Sequence, residues 1–100
     1  MNGMTHPGCA LDSQARAVAH TRVRGYRLIL CNLNNDVRGT QAIVNEIENC
    51  PACLRGMVEF LGSMAASLCE SIAQNAGADR AAAASRMEQM LADAINDLPR

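Results

Sequence analysis

Two apolar seams with a seven-residue period dominate the second half of this chain. Between residues 54 and 72 the apolar positions are spaced alternately by four and three residues, which is a heptad seam: Leu54, Val58, Leu61, Ala65, Leu68 and Ile72. The same seam recurs at Ala84, Met87, Leu91, Ala94 and Leu98. Between the two seams, Gly77 can end one helix and Asp79 can cap the next. The pattern predicts two helices that form an antiparallel hairpin.

The first half of the chain also carries a helical period. From Leu11 to about Leu33, apolar residues recur every three or four positions, and Asp12 or Ser13 can cap the start of the helix. The predicted apolar face of this helix comprises Ala15, Val18, Ala19, Val23, Tyr26, Ile29, Leu30 and Leu33. The asparagine-rich residues 32 to 36 predict a stop.

A second, shorter helix is predicted over residues 37 to 48. Asp36 can cap it, and Ile43, Val44 and Ile47 form its inward face. Pro51 then stands where proline fits best, at the first position of the third helix, with Cys50 as the cap.

The composition agrees with a helical core. Hydrophobic residues make up 49% of the 100 residues but aromatic residues only 2%, so the core must be built from Leu, Ile, Val, Ala and six Met. We therefore predict one all-α domain of about four helices, packed as two antiparallel hairpins. Residues 1–53 form the first hairpin and residues 54–100 form the second.

Two short motifs in separate parts of the chain have the spacing of metal ligands. Cys50 and Cys53 form a Cys-x-x-C pair in NCPAC, and His6 and Cys9 form a His-x-x-C pair in THPGC. In each motif a turn-forming proline lies between the two ligands. Together they supply Cys3His, a common closed set for structural zinc. We predict structural Zn²⁺ held by His6, Cys9, Cys50 and Cys53.

The predicted topology supports this ligand set. His6 and Cys9 precede the first helix, and Cys50 and Cys53 follow the second. In a hairpin, the first helix rises about 30 Å and the second returns about 20 Å, at about 1.5 Å per residue. The second motif then ends close enough to the first for a short loop to join them.

Two other interpretations of these cysteines stay open. In one, the thiols pack as small hydrophobic groups and His6 belongs to a loose N-terminus. In the other, Cys50 at a helix N-terminus is a reactive thiolate, as in the C-P-x-C of glutaredoxin-like sites. The helical pattern offers no βαβ scaffold for such a redox site. Cys31 and Cys69 lie on or beside apolar faces and are interpreted as core thiols.

The sequence predicts a protein without enzymatic activity, thiol-redox chemistry aside. Four protein ligands leave no open position for water on the metal. Elsewhere the sequence shows no Ser-His-Asp set, glycine-rich phosphate loop or paired carboxylates that would indicate catalysis.

A basic stripe runs along the first helix. Arg16, His20, Arg24 and Arg27 are spaced by four, four and three residues, and Arg38 lies just past the turn. The stripe is either a surface for phosphate or an acidic partner, or an ordinary solvated face. The net acidity of the C-terminal half and the shortage of aromatic residues argue against single-strand binding. Arg22 points to the apolar side, where it is expected to pair with Glu46 or Glu48 or to mark an interface.

The expected compartment is the cytoplasm. The N-terminus lacks the basic and apolar stretches of a secretory signal, and the weakly polar stretch at residues 60–69 is too short to span a bilayer. No membrane association is expected. In a reducing cytoplasm the five cysteines should not form structural disulfides.

All nine basic residues are arginine, which indicates GC-rich coding. The segments TRVRGYRLILCNLNND and NCPACLRGMVEFLG resemble, in composition and style, the small orphan proteins of actinobacteria and their phages. The resemblance spans the whole chain and implies a small accessory or host-directed protein.

The sequence as a whole predicts a small zinc-stabilised helical interaction protein that binds and modulates another cellular or host protein. The alternatives are a nucleic-acid-binding transcriptional regulator that uses the basic stripe, and a Cys-x-x-C thiol-redox protein. The two heptad seams further predict either a homodimer or a groove for a partner helix.

Overall fold

A computed structural model describes Cys9 and residues 14–99. It contains four helices and, over these residues, no β-strand: α1 (Gln14–Leu33), α2 (Val37–Ile47), α3 (Pro51–Asn75) and α4 (Arg80–Asn96). The prediction of an all-α protein with four helices is confirmed. His6 and the predicted caps Asp12 and Ser13 lie outside the described residues.

The chain divides into two compact units, Met1–Ser63 and Met64–Arg100. The division falls within α3, whereas the sequence places the boundary between the two hairpins after residue 53. The first unit holds α1, α2 and the beginning of α3. The second unit holds the end of α3 and all of α4.

The turns between helices form as their residue types predict. Asn35 adopts a left-handed φ of 53°, and the Asp36 carboxylate caps α2 by accepting a 2.8 Å hydrogen bond from the Gly39 N–H. At the other turn Gly77 has a φ of 79°, a conformation that glycine adopts without strain. The Asp79 carboxylate caps α4 by accepting a 3.0 Å hydrogen bond from the Ala82 N–H.

The core of the first unit lies between α2 and the start of α3. Ile43 and Ile47 of α2 are 2% and 4% exposed, and Ile47 belongs to one buried cluster with Met57 of α3. Leu28 of α1 packs against this core from the side. α1 also packs against α2 across the turn at residues 34–36, as the first predicted hairpin requires.

The predicted inward face of α1 is wrong. Val18, Val23 and Leu30 are 55%, 55% and 58% exposed, while Ala17, Arg24 and Gly25 are buried. Two contacts explain the rotation. Gly25 lies so close to the Phe60 ring that a Cβ would collide with it, and Arg24 bonds to Glu46 of α2. Ala17 and Leu28 are apolar residues outside the predicted face, and small size and ion pairing select the side on which they lie as the buried one.

In the second unit the end of α3 and the start of α4 line an open apolar cavity of about 330 Å³, which includes Cys69, Ile72 and Met87. An ion pair of 3.0 Å joins Arg80 of α4 to Glu70 of α3. None of the described residues of this unit is buried. The helices and the turn of the predicted second hairpin are present, but both seams remain exposed to solvent.

α3 is longer than the apolar stretch at residues 60–69 suggests. With 25 residues it is, within the described part of the chain, the one helix whose length and composition would allow it to cross a bilayer. Cys53 and Met57 near its start are buried in the core of the first unit.

Candidate metal centre

Three of the four predicted zinc ligands lie together. The sulfur atoms of Cys9, Cys50 and Cys53 all lie within 4.8 Å of one another. The three residues are 0%, 6% and 3% exposed, so the cluster is closed to bulk water. The fourth predicted ligand, His6, lies outside the described residues, and no other described histidine or carboxylate joins the group.

The local sequence explains why both thiols of CPAC point to one place. Cys50 precedes α3, and its carbonyl accepts a 3.0 Å hydrogen bond from the Leu54 N–H. Pro51 occupies the first helical position, where its missing N–H costs nothing. Cys53 follows within the first turn of the helix. The Cys-x-x-C motif therefore forms a helix N-terminus, as predicted.

The sulfur separation fits a tetrahedral zinc ion. The Sγ atoms of Cys9 and Cys50 lie 3.8 Å apart. Two sulfur ligands at about 2.3 Å from a tetrahedral zinc are separated by about 3.8 Å. A disulfide bond would need about 2.05 Å, so these thiols are not covalently joined. The Sγ atom of Cys53 lies within 4.8 Å of both.

The surroundings of the cluster also suit a bound cation. Ile47 and Met57 bury it, and Ala52 and Leu61 pack against it. Three thiolates in such an apolar site would be costly without a positive charge. A divalent ion would supply that charge, and the backbone N–H groups at the start of α3 would favour the anionic sulfurs further. The three sulfur atoms could bind a metal ion by themselves or together with a fourth ligand.

The predicted basic stripe is not one continuous surface. Arg24 is only 7% exposed and donates a 3.4 Å hydrogen bond to Glu46. Arg27 donates two hydrogen bonds to the same carboxylate, at 3.1 and 2.9 Å. Arg16, His20 and Arg38 are exposed. The charge of the two central arginines is therefore largely engaged within the protein.

This ion-pair group shifts two pKa values in the expected directions. The hydrogen bonds from Arg27 lower the pKa of Glu46 most, and burial opposes them in part. The hydrogen bond to Glu46 in turn raises the pKa of Arg27. Both groups are held in their charged forms.

Glu46 pairs with Arg24 and Arg27 and not with Arg22, for which Glu46 was one of two expected partners; that Arg22 marks an interface stays a prediction. Arg22 does not form the expected pair with Glu46; its guanidinium lies 6.0 Å from the centre of the Tyr26 ring. The missed signal is the register of the α1–α2 hairpin, because pairing residues about the turn at 34–36 places Glu46 beside Arg24 and Arg27.

No protein-family model, curated protein or solved structure matches this chain. Its class is defined by fold and site alone: a small all-α protein with a buried cysteine cluster that can bind a metal ion.

Proposed function

We propose that this protein is a small zinc-stapled helical protein that works by binding another protein. The observation that carries the proposal is the buried group of Cys9, Cys50 and Cys53, with sulfur atoms within 4.8 Å. Zn²⁺ at this group would have His6 as its fourth ligand. It would tie the N-terminal segment to the start of α3 and fix the first unit in one shape.

The role of the metal would be structural. A closed set of four protein ligands offers no coordination position for a substrate or an activated water. A metal ion bound by both Cys9 and Cys50 would cross-link two residues that are far apart in the sequence. Such a cross-link strongly reduces the conformational entropy of the unfolded chain. A domain of 100 residues with a small core benefits from such a staple.

An exposed stripe on α1 supports the binding role. Val23, Tyr26, Leu30 and Leu33 are spaced by three, four and three residues and are 55%, 48%, 58% and 74% exposed. Side chains at this spacing share one face of a helix. Apolar side chains concentrated on one exposed face are typical of protein-binding surfaces. The resemblance to accessory proteins of actinobacteria and their phages makes a cytoplasmic host protein the expected partner.

Two alternatives from the sequence have less support. For nucleic-acid binding, Arg16, His20 and Arg38 remain exposed on the surface. Arg24 and Arg27 are less available because they form ion pairs with Glu46. Thiol-redox activity would need a cysteine accessible to its substrate, and the three clustered thiols are buried.

The binding role is tested by capture from a lysate of a GC-rich bacterium, with Leu30→Glu as the test variant and Gln41→Glu as the control. Both variants add one negative charge to a helix surface, but Gln41 lies on α2 away from the stripe. We expect a partner that the wild type and Gln41→Glu retain and that Leu30→Glu loses. Equal retention by all three proteins would contradict the assignment of this surface.

A further inference from the structure

The second unit exposes most of its apolar surface. No described residue from 64 to 99 is buried, although seven large apolar side chains are each about half exposed or more: Leu68, Ile72, Met87, Met90, Leu91, Ile95 and Leu98. Helices of this length gain most of their stability from packing an apolar face, because helix propensity alone is marginal in water. These side chains therefore need a covering surface.

We infer that the covering surface is the same unit of a second copy of this chain. Each copy supplies two helices with heptad seams, and two copies supply the four helices that close a four-helix bundle. This inference goes beyond the proposed function and uses none of the metal ligands.

The seam of α4 is complementary to itself. If two α4 helices pack antiparallel with Leu91 on the two-fold axis, residues whose numbers add to 182 lie opposite each other. Ala84 then faces Leu98 of the second copy, and Met87 faces Ile95. In both pairs a seam residue meets a large apolar side chain, which is how helix interfaces fill space, whereas Ala94 of the seam lies level with Glu88. A symmetric dimer requires this kind of self-complementarity.

The available area matches a dimer interface. Burying one large aliphatic side chain removes roughly 60–120 Å² of apolar surface from water. Seven side chains, each about half exposed, therefore offer roughly 200–400 Å² of apolar surface per copy. A standard interface buries about 800 Å² per partner, of which somewhat more than half is apolar. The upper end of the range approaches that apolar area, so the seven side chains fit an interface at the small end of this class.

The seam itself carries no charge that opposes this packing, and Glu88 lies beside it. The seam residues are uncharged, and the nearby Arg80 and Glu70 are already paired at 3.0 Å within the chain. Leu91, Ile95 and Leu98 do not line the cavity between α3 and α4, so their side chains remain available to another molecule.

Sedimentation equilibrium on the full chain tests the inference. The wild type should have a mass of about 21 kDa, twice its 10.7 kDa. Leu91→Glu should raise the dimer dissociation constant at least tenfold, because it places two negative charges at the two-fold axis. Gln89→Glu is the control, since residue 89 adds the same charge about 160° around α4 from Leu91.

A cross-linking experiment keeps the test valid if Leu91→Glu fails to fold. Leu91→Cys should form a covalent dimer under mild oxidation far faster than Gln89→Cys or the wild type. A wild type that is monomeric at 100 μM, including one that binds lipid vesicles as a monomer, would overturn the inference. A dimer that Leu91→Glu leaves intact, or equal cross-linking at residues 91 and 89, would also overturn it.

Discussion

At the scale of single residues, Glu46 is the carboxylate that joins two arginines of α1 to α2. It accepts hydrogen bonds from Arg24 and Arg27 and so places α1 against α2. This contact explains why a polar side chain on α1 is buried while several valines and leucines are exposed. It could not be read from the sequence because apolar periodicity alone predicts a different face.

Replacing Glu46 by glutamine should destabilise the first unit. The substitution removes the charge that Arg24 and Arg27 share, and Arg24 is only 7% exposed. Glu46 itself is 38% exposed, so solvent screening limits the loss to roughly 1–2 kcal/mol. Urea unfolding followed by circular dichroism measures this loss. Glu48→Gln, two residues away, removes the same charge and should change stability by less than about 0.5 kcal/mol.

The same pair predicts a pH dependence. The pKa of Glu46 is lowered in the folded protein, chiefly by the hydrogen bonds from Arg27. The folded state therefore binds this proton less readily than the unfolded state, so the stabilisation is present above the ordinary pKa of glutamate. It is lost as the pH falls through the lowered pKa. The stability difference between wild type and Glu46→Gln should shrink over that acidic range, and a difference independent of pH would contradict this account.

At the scale of helices, replacing two different glycines by alanine should change the stability of the protein in opposite directions. Gly25 on α1 meets the Phe60 ring of α3, so Gly25→Ala should destabilise the protein by roughly 1–3 kcal/mol through overpacking. Gly62 in the middle of α3 has open space around it, so Gly62→Ala should stabilise the protein by up to about 1 kcal/mol. Thermal unfolding of the two variants compares them directly, and the same sign for both would contradict the described α1–α3 contact.

The helices themselves were largely predictable from local chemistry. Helix boundaries were predictable from four residues. The carboxylates of Asp36 and Asp79 accept hydrogen bonds from free backbone N–H groups, Pro51 has no N–H to satisfy, and Gly77 adopts a positive φ. The clustering of Cys9 with Cys50 was also predictable, because a hairpin returns the chain to its starting level. The rotation of α1 was not, since it depends on a ring contact and an ion pair between distant residues.

At the scale of the whole molecule, the two units differ in what stabilises them. The first has a buried core and the cysteine cluster, whereas the described residues of the second leave their apolar seams exposed. We propose that a metal holds the first unit and a second copy of the chain covers the second. Chelation of the metal should therefore destabilise the first unit, and dilution of the protein should destabilise the second.

Chelator addition gives a prediction at this scale. Removing the metal should lower the thermal midpoint of the wild type strongly, because metal-binding free energy contributes directly to folding. Cys50→Ser should already have the lower midpoint and should respond little to chelator. Cys31→Ser, which alters a thiol outside the cluster, should keep the full response. An identical response of all three proteins would exclude a stabilising metal at Cys50.

We propose that Cys9, Cys50 and Cys53 hold one structural zinc ion. Elemental analysis of purified protein, together with the absorption spectrum after Co²⁺ substitution, tests it most directly. We expect about one zinc per chain and a thiolate-to-cobalt charge-transfer band that is lost in Cys50→Ser and retained in Cys31→Ser. Purified protein without metal that also gives no thiolate band with added Co²⁺ would contradict the claim and leave the three cysteines as packed thiols.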